Sequence, residues 1–176
     1  MLKKSAVLFA LGIALLVLAG FFLPPEFELE QSLVIRAKPE NIHRYVSDLK
    51  QWPKWSPWKE MVPDKAIRYG NVTMGVGASQ TWRGKSDRGR LHITASSPQN
   101  GIAYDIYVGE SSNPSISAIE YKKNSEDSTI VTWRIHREIN APVLGGYLAL
   151  FVKFKTQDMY QKGLSKLKSV VEQADP

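Results

Sequence analysis

Residues that commonly bind metals or carry out catalysis are few in this chain and unfavourably spaced. Its three histidines are His43, His92 and His136, and no two of them are three or four residues apart, the spacing that places two ligands on one helical face. Cysteine is absent, which excludes thiolate zinc sites, disulfides and cysteine nucleophiles. The residue types therefore predict no metal site, no cofactor and no complete catalytic set.

Two short motifs resemble catalytic signatures but lack the surroundings that the chemistry requires. Ser56 stands outside the G-x-S-x-G context that exposes a nucleophilic serine. The segment Gly75-Val76-Gly77 precedes a predicted strand, so we interpret it as a turn, whereas a phosphate-binding loop opens a helix. His136 alternates with Trp133 and Ile135, which predicts that its side chain faces solvent.

Polar side chains inside predicted strands are the remaining candidates for acid–base chemistry. If Glu120 faces inward, it needs a partner or a shifted pKa, and it could then orient a ligand or transfer a proton. If it faces outward, it can pair with Lys122 or with a neighbouring strand. Asp105 and Tyr104 are the other groups that a cavity enzyme could use. Asp48 is better interpreted as a cap for backbone N–H groups of the turn that follows it.

Aromatic residues are concentrated in one segment, 52–58, which has three tryptophans among seven residues and two prolines that allow only short helical turns. This much apolar area is not left in water, so the tryptophans form either a wall of a ligand site or a core plug at one end of a sheet. We select the candidate ligand-binding side chains from this segment, from inward strand positions and from the last helix. They are Trp55, Trp58, Trp82, Leu91, Ile93, Tyr104, Ile106, Glu120, Trp133 and Phe151.

The N-terminal segment has the pattern of a membrane anchor. Residues 5–23 carry no charge, and nineteen residues of helix span about 28 Å, close to the hydrocarbon thickness of about 30 Å. Lys3 and Lys4 precede this segment, and Pro24-Pro25 end it. Because positive charge stays on the cytoplasmic side, the rest of the chain is expected outside the cell membrane, in the periplasm if the cell is Gram-negative.

The alternative for this segment is a cleaved signal peptide, with Val17-Leu18-Ala19 as the cleavage site. The apolar run is longer than a usual signal-peptide core and continues past that site to Leu23. We therefore predict an uncleaved anchor over residues 1–25 and a single domain over residues 26–176.

Alternation of apolar and polar residues predicts one strand before the tryptophan-rich segment and six strands after it. Turn-forming sequences separate the strands, and such short connections imply an antiparallel meander. The predicted strands are 27–35, 65–69, 78–83, 88–96, 102–108, 116–122 and 129–138. Pro39 begins a helix that is expected to end near Leu49, since proline is favoured in the first helical turn.

A long amphipathic helix is predicted over residues 147–173. Its apolar stripe contains Phe151, Tyr160, Leu164, Leu167 and Val171, and lysines occupy the polar side. The formal net charge is +6, but acidic residues are interleaved throughout, which favours a solvated surface over a nucleic-acid-binding one. One helix cannot fill the concave side of a long curved sheet, so we expect a cavity between the two.

Several local sequences, in this order, resemble those of a known superfamily. They are Ile35-Arg36-Ala37-Lys38-Pro39-Glu40-Asn41-Ile42, Tyr45-Val46-Ser47-Asp48-Leu49, Trp52-Pro53-Lys54-Trp55-Ser56-Pro57-Trp58, Gly75-Val76-Gly77-Ala78, Thr129-Ile130-Val131-Thr132-Trp133 and Gly163-Leu164-Ser165-Lys166-Leu167-Lys168. The superfamily is SRPBCC, also called START-like or Bet v 1-like, and the resemblance is strongest to bacterial members described as polyketide cyclase/dehydrase and lipid transport. It implies an α+β helix-grip fold, in which a curved antiparallel sheet of about seven strands wraps a long C-terminal helix.

The resemblance also implies a deep hydrophobic cavity that holds lipids, sterols, polyketides or plant hormones. Catalysis occurs in a minority of members, and the superfamily has no shared catalytic residues that could be assigned here. We therefore expect a membrane-anchored domain that binds a hydrophobic small molecule or lipid, and not an enzyme. Two alternatives are a cavity enzyme of the cyclase or hydrolase type and an envelope protein-interaction domain without a ligand.

Overall fold

The computed structural model describes residues 2–57, 66–84, 88–109, 111–139 and 141–174. The helices of this part are α1 (Leu2–Phe22), α2 (Pro39–Val46), α3 (Trp52–Trp55) and α4 (Gly145–Ala174). The strands are β1 (Glu26–Ile35), β2 (Ala66–Tyr69), β3 (Ser79–Arg83), β4 (Arg88–Ser97), β5 (Gly101–Val108), β6 (Ser115–Ser125) and β7 (Ser128–Glu138). The α+β class and the predicted order of strands and long helix are confirmed.

The strands form one antiparallel sheet in the order β1-β7-β6-β5-β4-β3-β2. Side chains alternate between an inner face, which is turned toward α4, and an outer face in solvent. In β7 the residues Val131, Trp133 and Ile135 are buried, while Arg134 and His136 are exposed, as the alternation predicted. The inner face is therefore the side on which a core or a ligand site can form.

The connection from β1 to the sheet's far edge is made by α2 and α3. Pro39 occupies the first turn of α2, and Ile42 and Val46 are fully buried beneath it. The indole N–H of Trp52 donates to the Val46 carbonyl at 2.8 Å, so the tryptophan-rich turn is tied to the end of α2. Asp48 caps this turn as predicted, because its carboxylate accepts the backbone N–H of Lys50 at 3.0 Å.

Helix α4 packs mainly on β1 and α3, with smaller contacts to α1, α2 and β7. Tyr160, Leu164, Leu167 and Val171 are buried, as the predicted stripe requires. Phe151 was assigned to the same stripe, and this assignment is wrong: 61% of its surface is exposed. At about 100° per residue, position 151 lies across the helix from the later four, so the stripe does not include it.

Helix α1 precedes the sheet and contacts the start of α4. The Tyr147 hydroxyl donates to the Leu16 carbonyl at 2.8 Å, and Gly146 is buried against Leu23, where a Cβ would overlap the leucine. Within the described part of the chain, no helix combines the length and apolarity needed to cross a membrane, so the predicted transmembrane helix is not supported.

Candidate functional site

The centre of the inner face is filled by an aromatic cluster. The Trp133 and Tyr160 rings stack with centroids 4.0 Å apart, and Trp55 meets Trp133 edge-on at 5.5 Å. Trp52 contacts both Trp55 at 5.2 Å and Tyr104 at 5.4 Å. None of these five side chains exposes more than 2% of its surface. At this level of the domain the tryptophans of α3 are a core plug, which is one of the two predicted roles.

Polar atoms inside the aromatic cluster have partners. The Trp133 indole N–H donates to the Tyr104 hydroxyl at 2.7 Å. The Tyr160 hydroxyl is 2.9 Å from the Ser117 hydroxyl, which itself donates to the Arg134 carbonyl. Burial raises the pKa of Tyr104 to about 12, so this phenol stays protonated at neutral pH. The Tyr104 hydroxyl, considered above for acid–base chemistry, is thus enclosed and hydrogen-bonded.

A second buried polar group lies near the turn between β4 and β5. His43 of α2 is 7% exposed, and its Nε2 is 3.1 Å from the Ser96 hydroxyl. The Tyr121 hydroxyl is 3.5 Å from Nδ1 of the same ring. Burial lowers the pKa of His43, so the neutral imidazole is favoured. Sequence spacing did not reveal this group, because its members are far apart along the chain.

A row of inner-face residues runs across the sheet beyond the aromatic cluster, and we call it the inner row. From β2 to β6, Tyr69 is paired with Gln80, Gln80 with Leu91, Leu91 with Ile106, and Ile106 with Ser115. Arg137 of β7 continues the row, since Ile116 is paired with His136 one position away. The inner row consists of Tyr69, Gln80, Leu91, Ile106, Ser115 and Arg137.

Polar and apolar residues are separated within the inner row. Leu91 and Ile106 form an apolar middle, while Gln80 lies on one side and Ser115 on the other, each only 5% exposed. Within the described residues neither of these two polar side chains has a hydrogen-bond partner. Because buried polar groups in proteins are normally hydrogen-bonded, an unpartnered pair facing the interior indicates a site for a ligand or water.

Arg137 adds a positive charge to one end of the inner row. Its neighbour across the sheet is Phe27, which is buried, so the guanidinium belongs to the inner face. The side chain is half-buried, and burial lowers its pKa. Among the described residues it has no ion-pair partner, in contrast to Arg134 on the outer face of the same strand, which pairs with Glu120. A half-buried, unpaired guanidinium suits a carboxylate or phosphate oxygen.

The predicted ligand-binding residues divide into several groups. Leu91 and Ile106 belong to the inner row, and Trp82 and Ile93 lie beside it on the inner face. Trp55, Tyr104 and Trp133 lie in the aromatic cluster. Trp58 lies outside the described residues. The positions of Glu120 and Phe151 do not fit an interior site, since both are directed to solvent.

The phase of β6 explains the position of Glu120. Ser115, Ser117, Ile119 and Tyr121 face inward, which turns Glu120 outward to Arg134. Small polar residues at 115 and 117, beside the exposed apolar Ile116, hid this phase in the sequence. Ser115 was missed for the same reason. Gln80 and Arg137 lie in other strands and were not considered as ligand contacts, although the alternation of β7 already placed residue 137 on the Trp133 side.

The grooves that we find on the outer face are basic or mixed in charge. The largest of three has a volume of about 740 Å³ and is lined by Arg68, Arg83, Arg88 and Arg90, with the Arg90 guanidinium 4.0 Å from the centre of the Tyr107 ring. These arginines follow from the outward positions of β2, β3 and β4. Of the inner row, only Gln80 and Leu91 line one of these three grooves.

Comparison with known proteins identifies one family. The family model for polyketide cyclase / dehydrase and lipid transport matches residues 26–172. Comparison with curated proteins gave no match.

Solved structures of low sequence identity have the same fold. Norcoclaurine synthase from Thalictrum flavum superposes with a TM-score of 0.62 at 9% identity, over 86% of this chain and 89% of the synthase. A START superfamily protein from Mycobacterium smegmatis gives 0.59 at 18% identity, over 84% and 98%. A protein of the dynemicin biosynthetic locus gives 0.54 at 11% identity over 85% of this chain, which spans only 48% of that protein.

Proposed function

Since this chain belongs to the polyketide cyclase / dehydrase and lipid transport family, we propose that its domain binds a hydrophobic small molecule or lipid between the sheet and α4. The observation that carries the proposal is the inner row, in which an apolar centre lies between buried polar side chains that have no partner among the described residues. A ligand with an apolar body and a polar end would satisfy both parts.

The size of the row sets the scale of the interaction. Adjacent strands are about 4.8 Å apart, so Gln80 and Ser115, three strands apart, are separated by about 14 Å. A ligand that buries about 300 Å² of apolar surface gains at most about 7 kcal/mol before the costs of association. That is enough for micromolar binding. The polar residues at the two sides of the inner row would then select among ligands.

Binding is better supported than catalysis. Of the three groups considered for acid–base chemistry, Glu120 and Asp105 are on the outer face of the sheet. The third, Tyr104, is enclosed in the aromatic cluster, and burial keeps its pKa near 12. None of these three groups is a member of the inner row, so we propose a binding domain and not a cyclase.

We also propose that α1 attaches the domain to a membrane and that the domain lies on the extracytoplasmic side. The support is the uncharged segment 5–23 with Lys3 and Lys4 before it, together with the side chains that α1 exposes, among them Phe9, Leu15 and Phe21. Carbonate extraction of cell membranes tests whether the protein is attached. Protease protection in spheroplasts tests on which side of the membrane the domain lies.

A ligand-free interaction domain is the second candidate, because the aromatic cluster fills part of the interior and apolar side chains of α4 are exposed. Native mass spectrometry of gently extracted protein distinguishes the ligand-binding domain from the interaction domain. Retained lipid, and a rise in melting temperature with fatty acids or phospholipids, supports binding. A protein that is always empty and never shifts in melting temperature supports the interaction domain.

Two matched variants test the position of the ligand. Ile106→Trp places a large ring in the middle of the inner row, while Ile116→Trp places the same ring on the outer face, where Ile116 is 56% exposed. If the row faces open space, Ile106→Trp folds and loses the bound ligand, and Ile116→Trp keeps it. If the row is packed solid, Ile106→Trp destabilises the empty protein by about 1–3 kcal/mol and the proposal is wrong.

A further inference from the structure

Large exposed apolar side chains gather at the start of α4. Five of them, one directly before the helix and four within it, form what we call the exposed face of α4, and they expose between 42% and 71% of their surface. They are Leu144, Leu148, Leu150, Phe151 and Phe154. The opposite side of the same helical turns is buried at Gly145, Gly146 and Ala149. This stretch of helix is therefore apolar on both sides, which is typical of helices that contact protein on one side and lipid on the other.

The composition of this helical face changes along α4. Positions 144, 148, 151 and 155 follow helical spacing, and the same face continues through 158, 162, 165 and 169. Its later part carries Asp158, Lys162, Ser165 and Ser169, all exposed. A helix surrounded by water along its whole length would keep the polar pattern throughout, so the first turns have a different environment from the last.

The exposed face of α4 continues into α1. The Tyr147 hydroxyl donates to the Leu16 carbonyl at 2.8 Å, and Gly20 lies so close to Val143 that a Cβ would overlap its carbonyl. On α1, Leu16 and Phe21 are 61% and 70% exposed. Two neighbouring helices thus present one apolar surface that is larger than the scattered apolar residues of a usual protein surface.

The charges within this stretch of the chain have one sign. Residues 139–157 contain no aspartate or glutamate, but they include Lys153 and Lys155. The Lys155 ammonium is 5.9 Å from the centre of the Phe151 ring. Long lysine side chains next to apolar residues place their charge at the level of lipid head groups while their stems stay in the apolar layer.

We propose that the exposed face of α4 inserts into the interfacial layer of a phospholipid bilayer that contains anionic lipid, beside α1. The inference rests on the proposed membrane attachment and adds a second contact, one made by the domain itself. Two contacts would fix the orientation of the domain on the membrane more firmly than α1 alone.

This orientation brings the inner row close to the lipid. The Ile139 N–H donates to the Pro25 carbonyl at 2.8 Å, so the end of β7 lies where α1 passes into β1. Arg137 and its neighbour Phe27 are the inward residues of that end. A lipid leaving the bilayer at this point would meet the Arg137 end of the inner row first.

The chain has no cysteine, so single cysteines can report the environment of chosen positions in the full-length protein. Leu148→Cys and Phe154→Cys probe the exposed face, and Gln161→Cys and Ser165→Cys are matched controls on the exposed side of the polar half of α4. Each carries an NBD fluorophore in vesicles of phosphatidylcholine with or without phosphatidylglycerol. Quenching by lipids brominated on their acyl chains reports contact with the bilayer, and quenching by iodide reports contact with water.

We expect lipid quenching at 148 and 154 to exceed that at 161 and 165 by about threefold or more, with the reverse order for iodide. Anionic lipid should increase the difference, because Lys153 and Lys155 lie at this end of the helix. Equal access of iodide to all four positions would overturn the inference. So would rapid disulfide cross-linking of unlabelled Phe154→Cys between two copies, since the surface would then be a dimer contact.

Flotation of the same vesicles separates this inference from the proposed function. Protein that floats with vesicles but exposes position 154 to iodide refutes insertion of α4 and leaves attachment by α1 standing. Protein that does not float refutes attachment and insertion together. Ligand binding is measured in detergent and is independent of both results.

Discussion

At the scale of single residues, the interior contains two kinds of polar group. Ser117, Tyr104 and Tyr160 take part in hydrogen bonds within the aromatic cluster, which fixes the rings in one arrangement. Gln80 and Ser115 are also buried, and their side chains lack hydrogen-bond partners within the described residues. Because an unmade hydrogen bond costs about 1–3 kcal/mol in a buried setting, the second kind destabilises the empty domain and favours a ligand that can bond to it.

Replacement of Arg137 tests the charged end of the inner row. In the wild-type protein a fatty acid should bind more tightly than its methyl ester, because the carboxylate meets a guanidinium that has no other partner in the described chain. Arg137→Met should abolish this preference and weaken fatty-acid binding about tenfold or more, as expected for a charge-assisted hydrogen bond. Competitive displacement of a fluorescent fatty acid measures both ligands.

The control for Arg137 is Arg83→Met, which removes an exposed guanidinium from the outer face. It should leave the preference for the acid unchanged. An equal loss in both variants would mean that the effect is one of overall charge, and Arg137 would then have no special part in binding.

His43 should make the stability of the domain depend on pH. Burial holds the pKa of His43 below its ordinary value of 6.5, so the unfolded chain takes up a proton at pH values at which the folded imidazole stays neutral. The free energy of unfolding is therefore highest above about pH 6.5. It should fall by up to about 1.4 kcal/mol per pH unit between that pH and the lowered folded-state pKa.

Urea unfolding between pH 5 and 8 measures this dependence, and His43→Gln should remove it over the upper part of that range. His92→Gln is the matched control, since His92 is exposed on the outer face. If the control variant lost the dependence and His43→Gln kept it, the assignment to His43 would be wrong.

At the scale of elements, the close approach of α4 to β7 positions the aromatic cluster. Gly163 of α4 lies against the Trp133 ring, and a Cβ at this position would come within 2.6 Å of the ring and 3.0 Å of Pro57. The absence of a side chain lets Tyr160, one turn earlier, stack on Trp133 at 4.0 Å. Helix, strand and the tryptophan-rich turn therefore meet at one glycine.

Gly163→Val should destabilise the domain by about 2 kcal/mol, because the added methyl groups displace the Trp133 ring or push α4 outward. Ser165→Val adds the same side chain to the exposed side of the same helix and should change stability by less than about 0.5 kcal/mol. Chemical denaturation followed by tryptophan fluorescence compares the two. Equal stability of both variants would show that the helix yields easily at this contact.

At the scale of the whole molecule, the buried residues of the described chain lie almost entirely after residue 26. Helix α1 contributes Gly20 to the buried set, while most of its large apolar side chains are exposed. The domain therefore has its own core, and α1 is attached to it at the start of α4. The stability of the core and the proposed membrane attachment by α1 therefore depend on different parts of the chain.

Removal of residues 1–22 should separate these two properties. The truncated protein is expected to keep its fold, with a change in melting temperature of less than about 5 °C, because little buried area is lost. Its retention in carbonate-washed membranes should fall to background. Thermal unfolding followed by circular dichroism tests whether the fold is kept, and membrane fractionation tests whether retention is lost. If the truncated protein no longer unfolded cooperatively, α1 would be part of the core.

The sequence alone determined the features that depend on local periodicity. Alternation predicted the strands, including the outward position of His136, and helical spacing predicted the buried stripe from Tyr160 to Val171. It gave the wrong side for Phe151 and left the direction of Glu120 open, because a helix that is apolar on two sides and a strand with small inward serines give no clear phase. Only the tertiary structure decided the inner row, since the register of five strands places Gln80, Ser115 and Arg137 in one line across the sheet. Register is set by pairing between distant segments, and no local pattern in the chain records it.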